Sequence, residues 1–252
     1  MARSSSGESV LTRVMRVLEA FEQETPVLTA SQVARRAGLP VATAHRLVTE
    51  LVRLGLLERD SDRRVRVGVR LWEIAARAPR ALGLREAAMP FMEDLHTATR
   101  QHTQLGVLEG REVLFIERLS ARNAVINVTK IGGRLPVHAS SGGVVLLAHA
   151  DPALQDEVLA SPLERFTRNT PTDPRRLRQL LAAVRAQGYV VCDGFIHLDA
   201  MGIAVPVYGP DHSVAAALSL IVPSRDSQPM MHVPALLAAA RGIARVRGAP
   251  AP

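Results

Sequence analysis

The chain has 252 residues and a formal net charge of +7, with 31 Lys and Arg against 24 Asp and Glu. This length accommodates one large core or two ordinary ones, and the positive charge favours an anionic partner. No apolar run approaches the roughly 20 residues that cross a bilayer, which argues against a membrane protein. Cys192 is the only cysteine, so a disulfide framework is excluded. We therefore expect a protein of the reducing cytoplasm, without a signal peptide.

The basic charge is concentrated in the first third of the chain. Residues 1–80 contain 14 arginines and 9 acidic residues, a net charge of +5, whereas the remainder is nearly balanced. Because Lys130 is the only lysine, an arginine-rich genome composition also explains the total. The position of the charge is therefore more informative than its size.

The pattern of residues 1–70 predicts a short flexible tail over 1–8, three helices, and a basic hairpin. Apolar spacing predicts the first helix over 9–23. Thr29 and Gln32 form a capping box that starts a second helix, which Gly38 ends. A third helix follows and ends at Gly55. Basic and apolar residues then alternate over 63–68, an order typical of a winged helix-turn-helix domain over 9–70.

Such a domain binds duplex DNA through helix N-termini, polar side chains in the major groove, and a basic wing. Each arginine taken alone is equally compatible with a solvated surface charge, so the order of elements carries this prediction. The candidate contacts are Ser31, Gln32, Arg35 and Arg36 to phosphates, Thr43, His45 and Arg46 to bases, and Arg63, Arg64 and Arg66 on the wing.

The remaining chain predicts a helical connector over 71–100 and an α+β domain over 101–248. We expect Pro79 and Gly83 to interrupt the connector and Pro90 to kink or restart it. The α+β domain should contain a mainly antiparallel sheet flanked by helices. The predicted strands are 103–108, 112–119, 124–128, 135–138, 189–193, 202–208 and 215–222, and the predicted helices are 144–150, 152–160, 174–187 and 233–247.

Three separated segments carry a resemblance to a known family. They are LTASQVARRAGLPVATAHRLVTELVRLGLLER, GRLPVHASSGGVVLLAHA and GIAVPVYGPDHSVAAALSLIVP. Thr43 and Arg46 match a T-x-x-R-L pattern, and LPVHASSGG matches L-P-x-H-x-[ST]-x-x-G. In these motifs, and over nearly its whole length, the sequence resembles the IclR family of bacterial transcriptional regulators.

The resemblance implies a GAF-like C-terminal domain that binds a small effector, commonly an organic acid or an aromatic metabolite. It also implies a homodimer or homotetramer that binds operator DNA, most often as a repressor. Phe195 and Gly202 stand where family members often have an acidic residue and a cysteine, which favours a bulkier or aromatic ligand. By position, the effector site would include His138, Ala139, Ser140, Ser141, Gly142, Gly143, Asp193, Gly202 and Ser219.

Two other functions are compatible with the sequence. Ser141 close to His138 suggests a hydrolase or acyl-transfer enzyme, although no G-x-S-x-G elbow is present. A winged-helix repressor without an effector is the second. The eight histidines share no metal-ligand spacing, so we expect no metal and no cofactor, and we expect Cys192 to be a buried apolar residue.

Overall fold

The computed structural model describes residues 7–22, 25–77, 79–121, 125–225 and 228–248. Most of the predicted tail, residues 1–6, lies outside these ranges. The chain forms two compact units, Met1–Pro79 and Arg80–Pro252. The division falls inside the predicted connector. Within the described ranges, no helix combines the length and apolarity needed to cross a membrane.

The first unit is a helical domain with a small antiparallel sheet. In the sheet, β3 lies between β1 and β2. The order of elements agrees with the predicted winged helix-turn-helix, and β1 adds a third strand that was not predicted. The elements are α1 (Val10–Glu19), β1 (Val27–Leu28), α2 (Ala30–Arg36), α3 (Val41–Arg53), β2 (Leu57–Arg59), β3 (Val65–Val67) and α4 (Val69–Ala75).

Hydrogen bonds mark the end of α1 and the start of α2. The predicted capping box is present, since Thr29 N–H donates to Gln32 Oε1 at 2.7 Å and Gln32 N–H donates to Thr29 Oγ1 at 3.3 Å. Helix α1 ends earlier than the predicted residue 23. The carbonyl of Ala20, just beyond α1, accepts from the Arg36 guanidinium at 3.0 Å, which ties α1 to α2.

The second unit is built on one antiparallel sheet of six strands in the order β6-β5-β4-β9-β8-β7. The predicted mainly antiparallel sheet is thus present. Its strands are β4 (His102–Glu109), β5 (Glu112–Leu119), β6 (Arg134–Pro136), β7 (Val190–Asp193), β8 (Ala200–Tyr208) and β9 (Val214–Pro223). The helices are α5 (Pro79–Thr99), α6 (Ser141–Ala148), α7 (Pro152–Ala160), α8 (Pro174–Gln187) and α9 (Val233–Val246), with a 3-10 turn at Pro229–Met231.

Helices cover both faces of this sheet. One core contains buried side chains of α5 and α9, such as Met92 and Leu236, packed with Leu218 of the sheet. The other core contains residues of α6 and α8, such as Leu147 and Leu177, packed with Phe115. The candidate ligand site lies on this second face.

Two predictions about secondary structure were wrong. The predicted interruption at Gly83 is absent, since α5 runs from Pro79 to Thr99 and includes Pro90; Ala88, Met92 and Leu95 bury one side of it in the core. Residues 125–128 form no strand, and Ala124 lies outside the described residues. Side chains take over hydrogen bonds of this segment: Val125 O accepts from His102 Nε2 at 2.9 Å, and Thr129 N–H donates to Asn127 Oδ1 at 3.1 Å.

Candidate functional site

Helix α3 presents a polar face to solvent above an apolar one. Its apolar side chains, including Ala44, Leu47 and Val48, are buried against the rest of the first unit. Of the predicted base contacts, His45 and Arg46 are exposed, and Thr43 is half-buried. Arg46 has no ion pair or hydrogen bond with any described residue, so its guanidinium is available to a partner.

The residues predicted to contact phosphates on α2 divide into two groups. Ser31, Gln32 and Arg35 are exposed. The side-chain oxygen of Gln32, Oε1, already accepts a hydrogen bond in the capping box. Arg36 donates instead to Ala20 O, and to Thr25 Oγ1 at 2.7 Å. Arg36 therefore positions helices within the domain through Nη1, while the residue remains exposed.

Arg16 is a positioning residue that the sequence pattern did not reveal. Its guanidinium donates to the carbonyl oxygens of Ala37 and Gly38, the latter at 2.9 Å, and pairs with Glu8 at 2.9 Å. These carbonyls lie where α2 ends, a point at which a cation is favourable because of the helix dipole. Arg16 thus fixes the turn between α2 and α3, and with it the angle of α3.

The wing carries arginines in different environments. Asp60 Oδ1 accepts from the Asp62 and Arg64 N–H groups at 3.0 and 2.9 Å and shapes the hairpin turn, in which Arg63 has a φ of 60°. Arg63 and Arg64 are exposed. Arg66 pairs with Glu58 at 2.9 Å. The Val69 N–H, and then Arg66, hold the pKa of the Glu58 carboxyl below its ordinary value.

In the second unit, a cavity lies between the start of α6 and the sheet. It encloses about 500 Å³ of empty space, its opening to solvent included. Its lining is largely apolar and includes Phe115, Ile221 and Phe195. Lys and Arg are absent from the described residues that line it.

The structure brings together five of the predicted effector-site residues around this cavity. They are Ala139, Ser140, Ser141, Gly142 and Gly202. Gly202 on β8 leaves the space that Ser141 occupies, because a Cβ there would lie 2.6 Å from Ser141 Oγ and 3.0 Å from Ser141 Cβ. Residues other than glycine can adopt the backbone conformation at Gly202. Glycine is favoured here because α6 approaches the strand so closely.

The other four predicted residues lie outside the cavity lining and have partners elsewhere. His138 Nε2 bonds to Glu164 O at 2.8 Å, and Asp193 is exposed and accepts from the Ser224 hydroxyl. Gly143 is close to the Val137 backbone, where a Cβ would approach Val137 Cα to 2.6 Å. Ser219 donates to Gln104 Oε1 at 3.4 Å. Ser219 therefore supports a lining residue from behind the cavity wall.

Several lining residues were not among the predicted site residues. Gln104, Asn127 and Thr129 supply polar groups from β4 and from residues 125–129, and His197 lies in the loop after β7. No motif marks them, since they come from four separate positions in the chain. The cavity also includes Cys192, predicted as a buried apolar residue; it is buried, and burial raises the pKa of its thiol.

The geometry around Ser141 lacks the arrangement of a nucleophile and base. His138, the predicted base, directs Nε2 to the Glu164 carbonyl, and no hydrogen bond joins it to Ser141 in the described part of the chain. A serine hydrolase needs its base within hydrogen-bond reach of the nucleophile. The hydrolase alternative therefore lacks the contact on which it would depend.

Comparison with protein-family models assigns both units. The IclR helix-turn-helix domain matches residues 10–61, and the bacterial transcriptional regulator IclR C-terminal model matches residues 77–245. The predicted fold class, an N-terminal winged helix-turn-helix, a helical linker and a GAF-like C-terminal domain, is confirmed.

Individual relatives agree with this assignment. The chain is 31% identical over 210 residues to the HTH-type transcriptional regulator XynR of Escherichia coli K12, covering 82% of this chain and 83% of that one. It is 29% identical over 239 residues to the Pca regulon regulatory protein of Pseudomonas putida, covering 92% and 82%.

A solved structure is more similar still. It is an IclR homologue from Microbacterium hydrocarbonoxydans in complex with 4-hydroxybenzoate, with 50% identity, a TM-score of 0.88, and coverage of 94% of this chain and 98% of that one. The relatives are regulators and not enzymes, as predicted for this chain. The chain belongs to the IclR family of bacterial transcriptional regulators, which act by binding DNA.

Proposed function

We propose that the protein is a cytoplasmic repressor that binds a pseudo-palindromic operator as a homodimer or homotetramer. The observation that carries this proposal is the exposed polar face of α3, where the side chains of His45 and Arg46 form no hydrogen bond or ion pair with any described residue. A guanidinium of this kind forms bidentate hydrogen bonds with guanine in the major groove. Thr43, at the edge of the same face, contacts a neighbouring base.

The remaining predicted DNA contacts position the duplex. Ser31, Gln32 and Arg35 on α2 contact phosphates, and Arg63, Arg64 and Arg66 track the backbone beside the wing. Two copies of α3 enter successive major grooves about 34 Å apart, because a two-fold symmetric protein reads two half-sites one helical turn apart.

The cavity of the second unit binds the effector, an aromatic carboxylic acid. Its apolar walls, with Phe115 and Phe195 among them, suit a ring, and the N–H groups at the start of α6 favour an anion. The related Microbacterium protein was crystallised with 4-hydroxybenzoate, which supports this ligand class. Ala139, Ser140, Ser141, Gly142 and Gly202 line the binding site, with Ser219 behind it.

Two measurements on the full-length protein test the proposal. Fluorescence anisotropy with DNA from the region upstream of its own gene and of neighbouring genes should reveal a site bound at least a thousandfold more tightly than random duplex. Thermal melting across a panel of aliphatic and aromatic acids should show concentration-dependent stabilisation by aromatic acids. Specific operator binding without any melting shift would favour the repressor that lacks an effector.

A further inference from the structure

A cluster of buried amide and hydroxyl groups lies along one side of the cavity. Gln104, which is 1% exposed, is its centre. Its Nε2 donates to Asn127 Oδ1 at 2.9 Å and to Thr129 Oγ1 at 2.5 Å, and its Oε1 accepts from Ser219 at 3.4 Å. We call Gln104, Asn127 and Thr129 the amide cluster; all three line the cavity.

One donor in the amide cluster has no partner. Asn127 Oδ1 accepts from Gln104, and from Thr129 Oγ1 at 2.7 Å, whereas Asn127 Nδ2 is buried and forms no hydrogen bond. A buried donor without an acceptor is costly, so such groups in proteins normally have a partner. Because Asn127 lines the cavity, a ligand that displaces the atoms now covering Nδ2 would supply the missing hydrogen bond.

The anion-binding groups lie on the opposite side. Ser141 and Gly142 form the first turn of α6, where N–H groups have no intrahelical acceptor, and Ser141 lies over Gly202 of β8. His197 Nδ1 accepts from the Asp199 N–H at 3.3 Å, so in the neutral ring Nε2 carries the proton and is a donor. With no Lys or Arg among the described lining residues, these groups are the ones suited to a carboxylate.

The sheet sets the distance between the two sides. Gln104 pairs with Ser219 on β9, and Gly202 pairs with Ile221 on the same strand, so β9 separates β4 from β8. Two strand spacings amount to about 10 Å. A ligand that contacts both sides must therefore extend across β9.

We infer that the ligand binds lengthwise, with its carboxylate at the start of α6 and a ring hydroxyl at the amide cluster, and that Asn127 determines specificity for this hydroxyl. The inference rests on the proposed function and narrows the effector to an aromatic acid with an oxygen substituent opposite its carboxylate. Gln104 acts through Asn127, because it holds the Asn127 carbonyl and so directs Nδ2.

Isothermal titration with benzoate, 4-hydroxybenzoate and 4-methylbenzoate tests the assignment. The unmodified protein should bind 4-hydroxybenzoate about tenfold more tightly than 4-methylbenzoate, roughly the contribution of one hydrogen bond. In Asn127→Leu this preference should disappear or reverse, while benzoate affinity stays within about threefold. Equal loss for all three ligands, or an unchanged preference, would overturn the inference.

Two further variants keep the test decisive. Gln155→Leu removes an amide on α7 that donates to Ala150 O at 2.9 Å, away from the cavity, and should leave the preference intact. Thr129→Val, nearly equal in volume, should weaken the preference, and it decides the question if Asn127→Leu fails to fold. If the unmodified protein binds none of the three acids, the proposed ligand class itself fails; if it binds them without discrimination, only this inference fails.

Discussion

At the scale of single residues, Arg46 and Arg64 carry the same charge in different settings. Arg46 lies on α3, the helix proposed to enter the major groove, between the buried residues Ala44 and Leu47. Arg64 lies on the wing, where its N–H is held by Asp60. A side chain on α3 reaches base edges, whereas one on a wing reaches the phosphate backbone. The two arginines should therefore contribute to different properties of DNA binding.

Substitution of each arginine separates these properties. Arg46→Ala should weaken operator binding by about 10- to 150-fold and leave binding to random duplex nearly unchanged. Arg64→Ala should weaken both and reduce the slope of log affinity against log salt by about one unit. Anisotropy titrations at several salt concentrations measure both effects. Arg53→Ala, which removes the ion-pair partner of Glu50 at the C-terminal end of α3, is the control. Equal losses of affinity for operator and for random duplex in Arg46→Ala would exclude base readout.

The sequence predicted which arginines are exposed better than it predicted what each arginine binds. The free arginines and the paired ones look alike in sequence, yet Arg36 and Arg16 bind backbone carbonyls at helix ends. Similarly, the motif around Ser141 located one side of the cavity, but Gln104 and Asn127 come from distant segments. Hydrogen bonds between positions far apart in the chain leave no local pattern, so only the folded structure reveals them.

At the scale of elements, the contact between α6 and β8 shapes the floor of the cavity. Ser141 and Gly202 approach so closely that a Cβ at position 202 would lie 3.0 Å from Ser141 Cβ. Packed interiors tolerate extra methyl groups poorly, with typical costs of about 1–3 kcal/mol. Any added atom must push α6 away or fill the ligand space.

Gly202→Ala should therefore reduce the affinity for aromatic acids by about 5- to 150-fold, the equivalent of that cost. Operator affinity in the absence of ligand should remain unchanged, because the first unit is not involved. Titration calorimetry and anisotropy provide the two readings. Gly83→Ala is the matched control, since a Cβ at position 83 meets nothing within 4 Å; unaltered ligand affinity in Gly202→Ala would place the binding site elsewhere.

The segment over residues 125–129 depends on a buried histidine. His102 Nε2 donates to Val125 O at 2.9 Å, and His102 Nδ1 accepts from Ala121 N–H at 3.2 Å. Burial lowers the pKa of His102 below its ordinary value near 6.5, and repulsion from Arg118 and His96 adds to this effect, although the bond to Val125 opposes it. Folding therefore favours the neutral form of the ring.

Because the folded pKa is the lower one, the unfolded chain binds more protons below about pH 6.5, and stability falls as the pH drops through this value. The melting temperature should decline between about pH 7.5 and about pH 5.5 by more in the unmodified protein than in His102→Gln. Thermal unfolding at a series of pH values measures the difference. His45→Gln, on the exposed face of α3, should leave the decline unaltered, and parallel curves for His102→Gln would refute the role of His102.

The order of elements was predictable because each element carries its own signal, such as the Thr29 capping box or the apolar spacing of α3. Strands β4 to β9 also lie close to their predicted positions. The failures share a cause: residues 125–128 have strand-like composition, but His102 and Asn127 supply their hydrogen bonds, and Gly83 and Pro90 are accommodated in α5 because the core stabilises that helix. Tertiary contacts decided these cases.

At the scale of the whole molecule, the segment proposed to bind DNA and the cavity proposed to bind the effector differ in charge. The first 80 residues hold a net charge of +5, whereas no Lys or Arg is found among the described residues that line the cavity. Screening further weakens long-range effects of a bound carboxylate at physiological salt. An effector can therefore change DNA affinity only by preferring one conformation of the protein, a coupling that is reciprocal by thermodynamic necessity.

Reciprocity gives a quantitative prediction for the intact protein. Saturating aromatic acid should change operator affinity by about 5- to 150-fold, and saturating operator DNA should change the affinity for the acid by the same factor. Anisotropy with and without the acid gives the first ratio, and calorimetry with and without operator gives the second. In Gly202→Ala the change in operator affinity should be smaller at an acid concentration that only just saturates the unmodified protein, because the variant binds the acid more weakly; the ratio of acid affinities with and without operator should stay the same. Two unequal ratios in the unmodified protein would mean that the acid acts at more than one site.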